Sequence, residues 1–333
     1  MKQNDDAVGW TIGTYEDEHG DSHGIIFHTT DGGEQWEKQN PDGTEFSPNA
    51  ASAADERNVW IVGSDADAKG VILRTTDGGK TWERQEYTVD LTGVYAVDEK
   101  IVWVVGFEGT ILYTIDGGEH WIRQKSPSIP RVDLQGVHAI DAHTVWVTGG
   151  FDSGYGTILR TTDGGEQWER LGHKSQEEGD GGVPDRFILG VCALSSDTAW
   201  VVTSCVPLAK SSYILYTENG GNTWTDQTPE HVARDTNAVT IMIDRSTGLP
   251  TGWVVEDNAG IYHTTDGKNW QNQPNPGEGF LVDVSAIDEK TAWAADTGGI
   301  ILHTADGETW KVQLNKDDEV KKSFFGVSFV MPK

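Results

Sequence analysis

The chain has 333 residues, with 53 acidic against 25 basic side chains and a net charge of −28, so nucleic-acid phosphates and anionic lipid surfaces are repelled and neither is expected as a partner. Apolar residues make up 36% and are spread evenly; no apolar run approaches the roughly 20 residues needed to span a bilayer. The acidity reads as a solvated surface that keeps the protein monodisperse, with a monomer expected, or as an adaptation to salt.

In chain order, the opening MKQNDDAVGW has no charged-then-apolar signal, and a first apolar strand, VGWTIG, begins within it. The expectation is an extracytoplasmic protein, periplasmic or secreted, whose leader has been replaced by Met1; a cytosolic protein is the alternative. HTTDGGEQW (28–36) follows, and its template returns as RTTDGGKTW (74–82), YTIDGGEHW (113–121), RTTDGGEQW (160–168), YTENGGNTW (216–224), HTTDGKNW (263–270) and HTADGETW (303–310). Between the copies runs a second motif, an apolar strand with one tryptophan: NVWIVG, IVWVVG, TVWVTG, TAWVVT, TGWVVE and TAWAAD. The two sets interleave as seven pairs, Trp10/Trp36, Trp60/Trp82, Trp103/Trp121, Trp146/Trp168, Trp200/Trp224, Trp253/Trp270 and Trp293/Trp310, which use all 14 tryptophans. A period of about 40 to 55 residues running end to end predicts one closed array over residues 1–333 and not two ordinary domains.

Each unit reads as four short β-strands. The repeat at 90–124 shows DLTGVYAV, IVWVVG, TILYT and HWIRQ, joined by DEK, FEG and DGGE, with β-branched and aromatic residues in the runs and Asp, Gly and Asn in the joints. In DGG the aspartate can accept backbone N–H groups of its own turn while glycine supplies positive φ, and the flanking Thr and Trp can lock the hairpin against a neighbouring sheet. Such sheets expose apolar faces on both sides and satisfy one another only when packed radially. The innermost strands, GVYAV, GVHAI, GVCAL, DVSAI and GVSFV, are rich in Gly and Ala, as convergence at an axis requires. The chain starts on a second-strand motif and ends on FFGVSFV, a first-strand motif. The fold class is therefore all-β, a single seven-bladed β-propeller of four-stranded antiparallel blades, closed by the C-terminal strand pairing in the N-terminal blade.

Cys192 and Cys205 fall in one repeat. In an antiparallel pair turning near Ser196, Cys192 would lie opposite about Val201 and not Cys205, so the disulfide state and the redox compartment stay open.

The repeated motif resembles the BNR or Asp-box pattern, S/T-x-D-G-G-x-T-W. Six copies carry the aspartate, Asp31, Asp77, Asp116, Asp163, Asp266 and Asp306, and the fifth has Asn219. The fuller pattern, WxVG followed by GTILYTIDGGEHW, is most similar to the photosystem II stability/assembly-factor family of seven-bladed propellers, over essentially the whole chain. That resemblance implies a non-catalytic, periplasmic or lumenal protein that binds a protein partner, in part through an arginine patch. Asp-box repeats also occur in sialidases and other secreted glycoside hydrolases. SIPRVD (128–133) holds the letters of the sialidase F/Y-R-I-P element in the wrong order, so sialidase chemistry is not expected.

In such a blade the loops from second to third strand and from fourth strand to the next blade share one face, and the Asp boxes lie on the other. The separation of paired tryptophans is greatest for Trp10/Trp36 and also large in the fifth, second and fourth units, and GHKSQEEGDGGVPDRF (172–187) lengthens the same face. This loop-rich face is the expected binding site. Three constellations lie there. The loop EDEHGDSH sets His19, His23 and Asp21 among further carboxylates and could hold a divalent metal, although a solvated acidic loop explains it equally. Asp90, Asp133 and Asp235 each stand four residues before an inner-strand valine, where a ring could bind a cation or act as acid and base, or simply cap the loop backbone. Arg131, Asp185, Arg186 and Arg234 form an arginine-rich entry to inner strands that could hold a carboxylate or a partner's acidic side chain, or make ordinary surface ion pairs. His28, His263 and His303 precede Asp boxes in a slot otherwise filled by Arg or Tyr, which suggests tolerant outer positions and not ligands, whereas Tyr95 and His138 share an inner-strand slot with Ser, Thr and Cys, which suggests packing between blades.

No nucleophile elbow, P-loop, dinucleotide fingerprint or zinc-protease helix is present. The expected function is that of a non-catalytic propeller binding a protein partner through the loop-rich face. A secreted carbohydrate-active hydrolase or lyase, with a carboxylate and arginine site at the mouth of the central channel and a small carbohydrate as ligand, is the alternative.

Overall fold

The chain was analysed as a computed structural model, which describes residues 6–39, 45–152, 155–172, 183, 186–204, 212–230, 232, 234–277, 279–314 and 322–332. Twenty-eight strands assemble into seven four-stranded antiparallel sheets, the seven blades of a propeller, with no α-helix among the described residues. Blade 3 is representative: an inner strand Leu91–Ala96, a second strand Val102–Gly106, a third strand Thr110–Thr114 and an outer strand Ile122–Arg123. Every residue of its second strand is buried while both outer-strand residues are exposed. Sheets covered on both faces make such strands read as continuous apolar runs, which is why IVWVVG and its relatives lack alternation.

The ring closes in blade 1. The C-terminal strand Lys322–Val330 pairs antiparallel with Val8–Glu16, with Trp10 opposite Ser328 and Thr11 opposite Val327. The Thr11 hydroxyl donates to the Gly326 carbonyl at 3.0 Å. The C-terminal strand thus covers the edge that Val8–Glu16 would otherwise expose, the kind of template that invites edge-to-edge association.

The second-strand tryptophans are fully buried in all seven blades. Each lies in a core shared with the next blade: Trp60 of blade 2 packs with Leu91, Val94 and Leu112 of blade 3. Its indole N–H donates to the Gly117 carbonyl in the blade 3 Asp box at 3.1 Å, and Trp200 to Gly267 and Trp293 to Gly32 repeat the bond at 3.1 and 3.0 Å. Within a box, the Thr75 hydroxyl donates to Asp77 Oδ1 and accepts the Gly79 N–H, both at 2.9 Å, while Asp77 Oδ1 also accepts the Thr81 N–H at 2.9 Å. Gly79 has φ 84°, a conformation that side chains rarely adopt. In these three places the repeated letters thus build a turn that presents a carbonyl to the neighbouring blade's tryptophan.

A flat side chain covers most of these tryptophans in the slot before the box. His28, His263 and His303 stack on Trp10, Trp253 and Trp293 with ring centroids 4.7 Å apart in each case, where Tyr113 covers Trp103 at 4.2 Å and Arg160 lies over Trp146 at 5.4 Å. Burial holds His28 and His263 below the ordinary histidine range, so they pack as neutral rings.

Candidate functional site

The face carrying the second-to-third-strand hairpins and the inter-blade loops holds the candidate groups. Three phenylalanines stand out of it: Phe107 and Phe187, 38% and 39% exposed, and Phe280, 58% exposed. Phe107 lies on the blade 3 hairpin, and Phe187 and Phe280 lead into the inner strands of blades 5 and 7. Phe187 meets Phe151 edge to face at 4.4 Å, an arrangement that holds it up from the loop.

Arg131, Arg186 and Arg234 precede the inner strands of successive blades 4, 5 and 6, as expected, but enter different environments. Arg131 is exposed and pairs at 2.8 Å with Glu108 of the blade 3 hairpin, a bond of little energetic weight in water. Arg186 is buried and lies over the Tyr213 ring at 5.6 Å. Arg234 is exposed, and its carbonyl accepts the Ser212 hydroxyl. Asp185 lies outside the described residues.

The three aspartates at the inner-strand entries share one backbone duty: the carbonyls of Asp90, Asp133 and Asp235 accept N–H groups of Phe107, Gly150 and Asp257 at 3.0, 2.8 and 3.0 Å. Phe187 and Phe280 do the same for Ser204 and Thr297, so the slot is set by the backbone and not by the carboxyl group. The Asp90 carboxyl titrates above its ordinary value. Burial pushes its carboxyl up, hydrogen bonds from Ser64, Leu91 and Asn49 oppose this, and the Asp133 charge adds to the rise. Asn49 reaches Asp90 Oδ1 at 3.1 Å from the preceding blade.

The acidic loop of blade 1 is a turn between Val8–Glu16 and Ser22–Thr29. Asp17 organises it, accepting the N–H groups of His19 and Asp21 at 2.9 Å and facing the His23 ring at 3.1 Å. His19 turns towards Glu18 instead, 3.7 Å away. Among the described residues no three His, Cys, Asp or Glu side chains converge as metal ligands.

The sequence points to the mouth of the central channel but not to the residues that line it. All seven inner strands shift register by one residue near their start, and the bulged residues, Phe325, Asn49, Thr92, Gln135, Leu189, Asn237 and Val282, line the loop-rich mouth of the channel, a cavity of about 350 Å³. A bulge aims its extra side chain off the ladder, and here three stitch onward: Asn49 to the Leu91 carbonyl, Thr92 to Leu134 and Asn237 to Leu281, at 2.8, 2.6 and 2.6 Å. Towards the Asp-box face a second ring of polar groups lines a cavity of about 450 Å³. There Ser52 accepts the Ala96 N–H, Ser285 that of Phe329 and Ser328 that of Ala53, each from one blade to the next, at 3.0, 3.1 and 3.0 Å. His138 and Cys192 fill the same slot, accepting N–H groups of Ala193 and Ile241 at 3.4 and 3.2 Å, and the Tyr95 ring packs on His138 at 4.5 Å. The expected packing role of Tyr95 and His138 is therefore joined by blade-to-blade hydrogen bonding. Cys192 is a buried thiol opposite Trp200, one residue from the expected Val201; Cys205 lies outside the described residues.

Asp283 stands between these two rings and borders both cavities. Other blades place Gly93, Gly136, Gly190, Gly326, Ala50 and Ala238 in this slot. Its oxygens accept the N–H groups of Val284 and, across the closing seam, Val327, both at 2.9 Å. Enclosure raises its titration to about 7, with the two hydrogen bonds opposing the rise.

The sequence profile of the family described as Photosynthesis system II assembly factor YCF48 matches residues 86–232, and that of the BNR/Asp-box repeat matches residues 73–84. No curated protein matches the sequence. Among solved structures, YCF48 bound to D1 peptide is similar at 20% identity and a TM-score of 0.58, over 81% of this chain and 82% of that one. YCF48 from Cyanidioschyzon merolae is similar at 22% identity and a TM-score of 0.58, over 82% and 86%. The GH74 xyloglucanase from Xanthomonas campestris is similar at 12% identity and a TM-score of 0.63, over 97% of this chain but 54% of that one, so this chain spans about half the enzyme's length. At these identities the likeness is one of fold. The chain is an Asp-box, seven-bladed propeller that resembles the photosystem II assembly-factor family.

Proposed function

We propose that the protein is a non-catalytic propeller that binds a protein partner through its loop-rich face. The observation that carries this reading is the group of exposed aromatics Phe107, Phe187 and Phe280 on the face that also bears Arg131 and Arg234; aromatic and arginine side chains are the anchors most enriched at binding hot spots. Likeness in fold to YCF48 bound to D1 peptide supports a polypeptide ligand. An extracytoplasmic location belongs to the same proposal and rests on the resemblance to the assembly-factor family; cell fractionation tests it.

A photo-crosslinking amino acid at Phe280 should capture a discrete protein species in cells, and Arg131→Glu combined with Phe187→Ser should abolish that capture. The same probe at Ile115, 58% exposed on the Asp-box face, should yield none. Capture from Ile115 and not from Phe280 would refute the reading.

A carbohydrate-active hydrolase or lyase is favoured by one observation only, the upward displacement of Asp90 beside the Asp133 charge, the signature of a general acid. Asp90→Asn should then abolish hydrolysis of an oligosaccharide panel; absence of turnover by the wild-type chain leaves the partner reading standing.

A further inference from the structure

Asp283 is a carboxylate in a slot that the other blades fill with Gly or Ala, at the waist of the channel. Val94, Val137, Val191 and Val239 face the same waist. Each oxygen takes one backbone N–H, whereas an ionised carboxylate offers about four acceptor sites. That leaves acceptor capacity on a group that borders both cavities, and no Lys or Arg lines the mouth among the described residues. A carboxylate held away from bulk water without a countercharge is costly, and a cation that reaches it recovers that cost.

The walls decide which cation. A calcium ion asks for six to eight oxygen ligands and magnesium for a near-octahedral shell, while this waist offers one carboxylate among valines. An ammonium group on a short aliphatic stem fits both halves of the site: its N–H donors meet Asp283 while the methylenes lie along the valines. The net charge of −28 raises the concentration of such cations near the surface.

We propose that the loop-rich mouth of the central channel is a binding site for a primary aliphatic amine, whose ammonium group pairs with Asp283. The amine is either a lysine side chain offered by a polypeptide or a free alkylamine. The site rests on the channel alone and stands whether or not the face around it binds a protein.

Calorimetric titration of the full chain with cadaverine and, separately, with Nα-acetyl-lysine methylamide tests the site, with pentan-1-ol as the uncharged control. Saturable binding of one amine per chain with a Kd of about 1 mM or tighter is expected, weakened about tenfold or more by Asp283→Asn. The stronger of the two amines identifies the source. A second readout needs no variant: binding by the wild-type chain should fall between about pH 8 and about pH 5.5, as Asp283 takes up a proton. Beyond the waist, burial holds His138 down at about 4 and Cys192 and Tyr95 up at about 11 and about 12. On the flanking strands, Asp296 and Lys322 stand at the ends and not at the waist. Among the described residues that line the channel, Asp283 is thus the group that changes charge in this window. Equal binding by Asp283→Asn, binding that does not respond to pH, or no saturable binding of either amine would overturn the proposal.

Discussion

Replacing Asp283 by asparagine should make the folded chain more stable in alkaline than in acidic solution relative to wild type. The sign follows from the direction of the shift. Folding raises this carboxyl from 3.8 to about 7, so the folded state holds its proton more tightly than the unfolded chain. The carboxylate therefore costs nothing below about pH 4, costs progressively more up to about pH 7, and carries its full penalty above that. At about 1.4 kcal/mol per pKa unit the ceiling is about 4 kcal/mol. Asp283 keeps partial contact with the channel lumen, where water screens the charge, and a realised penalty of about 2–3 kcal/mol is expected. Asparagine removes the charge but has a single acceptor oxygen, so one of the bonds from Val284 and Val327 is lost, at about 1 kcal/mol. Asp283→Asn should accordingly gain about 1–2 kcal/mol at about pH 8.5 and lose about 1 kcal/mol at about pH 4.5. Urea unfolding of both proteins at the two pH values measures this, and the difference between variants cancels the repulsion that a net charge of −28 adds to both. A variant effect of the same size and sign at both pH values would refute the reasoning.

Trp60→Phe should cost about 2–4 kcal/mol, because it leaves the Gly117 carbonyl without its donor and opens space in the seam; urea unfolding reads this, and a loss below about 0.5 kcal/mol would deny the blade-to-blade bond its role. Gln85 accepts the Trp121 indole N–H and donates to the Gly118 carbonyl, both at 2.8 Å, so Gln85→Ala should cost about 1–2 kcal/mol. Gln85→Leu should cost less in the same assay, because blade 4 uses Leu171 at this position and packs it on the next box. Carboxyl NMR titration should find Asp77, Asp266 and Asp306 ionised down to about pH 2. Backbone N–H bonds from Thr81 in the first box and Thr309 in the third depress two of them, and in the second the bonds from Asn269 outweigh a rise from burial. Their contribution to stability should be full above about pH 4 and fade between about pH 4 and about pH 2, while Asn219 leaves the blade 5 box without this response.

The architecture was legible because each turn and each packing contact is set by letters close together in sequence. Thr29, Asp31 and Gly33 make their bonds within five residues of chain, and the paired tryptophans count the blades. Interactions between blades were less legible. The glutamine three residues after an Asp-box tryptophan, Gln39, Gln85, Gln124, Gln227, Gln273 and Gln313, recurs visibly in the sequence, yet the box carbonyls that such side chains meet, such as Gly78 for Gln39, lie in the adjacent blade. The bulges left no local trace, since Asn49, Leu189 and Phe325 share a position and no chemistry. Asp283 was in view as the first letter of DVSAI, but a carboxylate in a glycine slot acquires meaning only when seven strands converge on one axis. Arg131, Arg186 and Arg234 stand before inner strands as their place in the sequence indicates, whereas the burial of Arg186 against Tyr213 depends on a contact within blade 5 between residues distant in sequence.

Closure within blade 1 also sets an order of events. The Thr11 hydroxyl and the Gly326 carbonyl that it meets are 315 residues apart in sequence. At about 5–20 residues per second, a ribosome emits the strand Val8–Glu16 roughly 15–60 s before its partner exists. Through that interval the growing stack can add blades one hairpin at a time, each making mostly local contacts, but its first blade lacks an inner strand and its newest blade lacks a neighbour. Docking of Lys322–Val330 mends both ends at once and is the one step that must close a loop as long as the protein itself. Slow, late gain of stability during synthesis, together with exchange of this strand between crowded nascent chains, are the hazards that follow from sealing a ring with its own two ends.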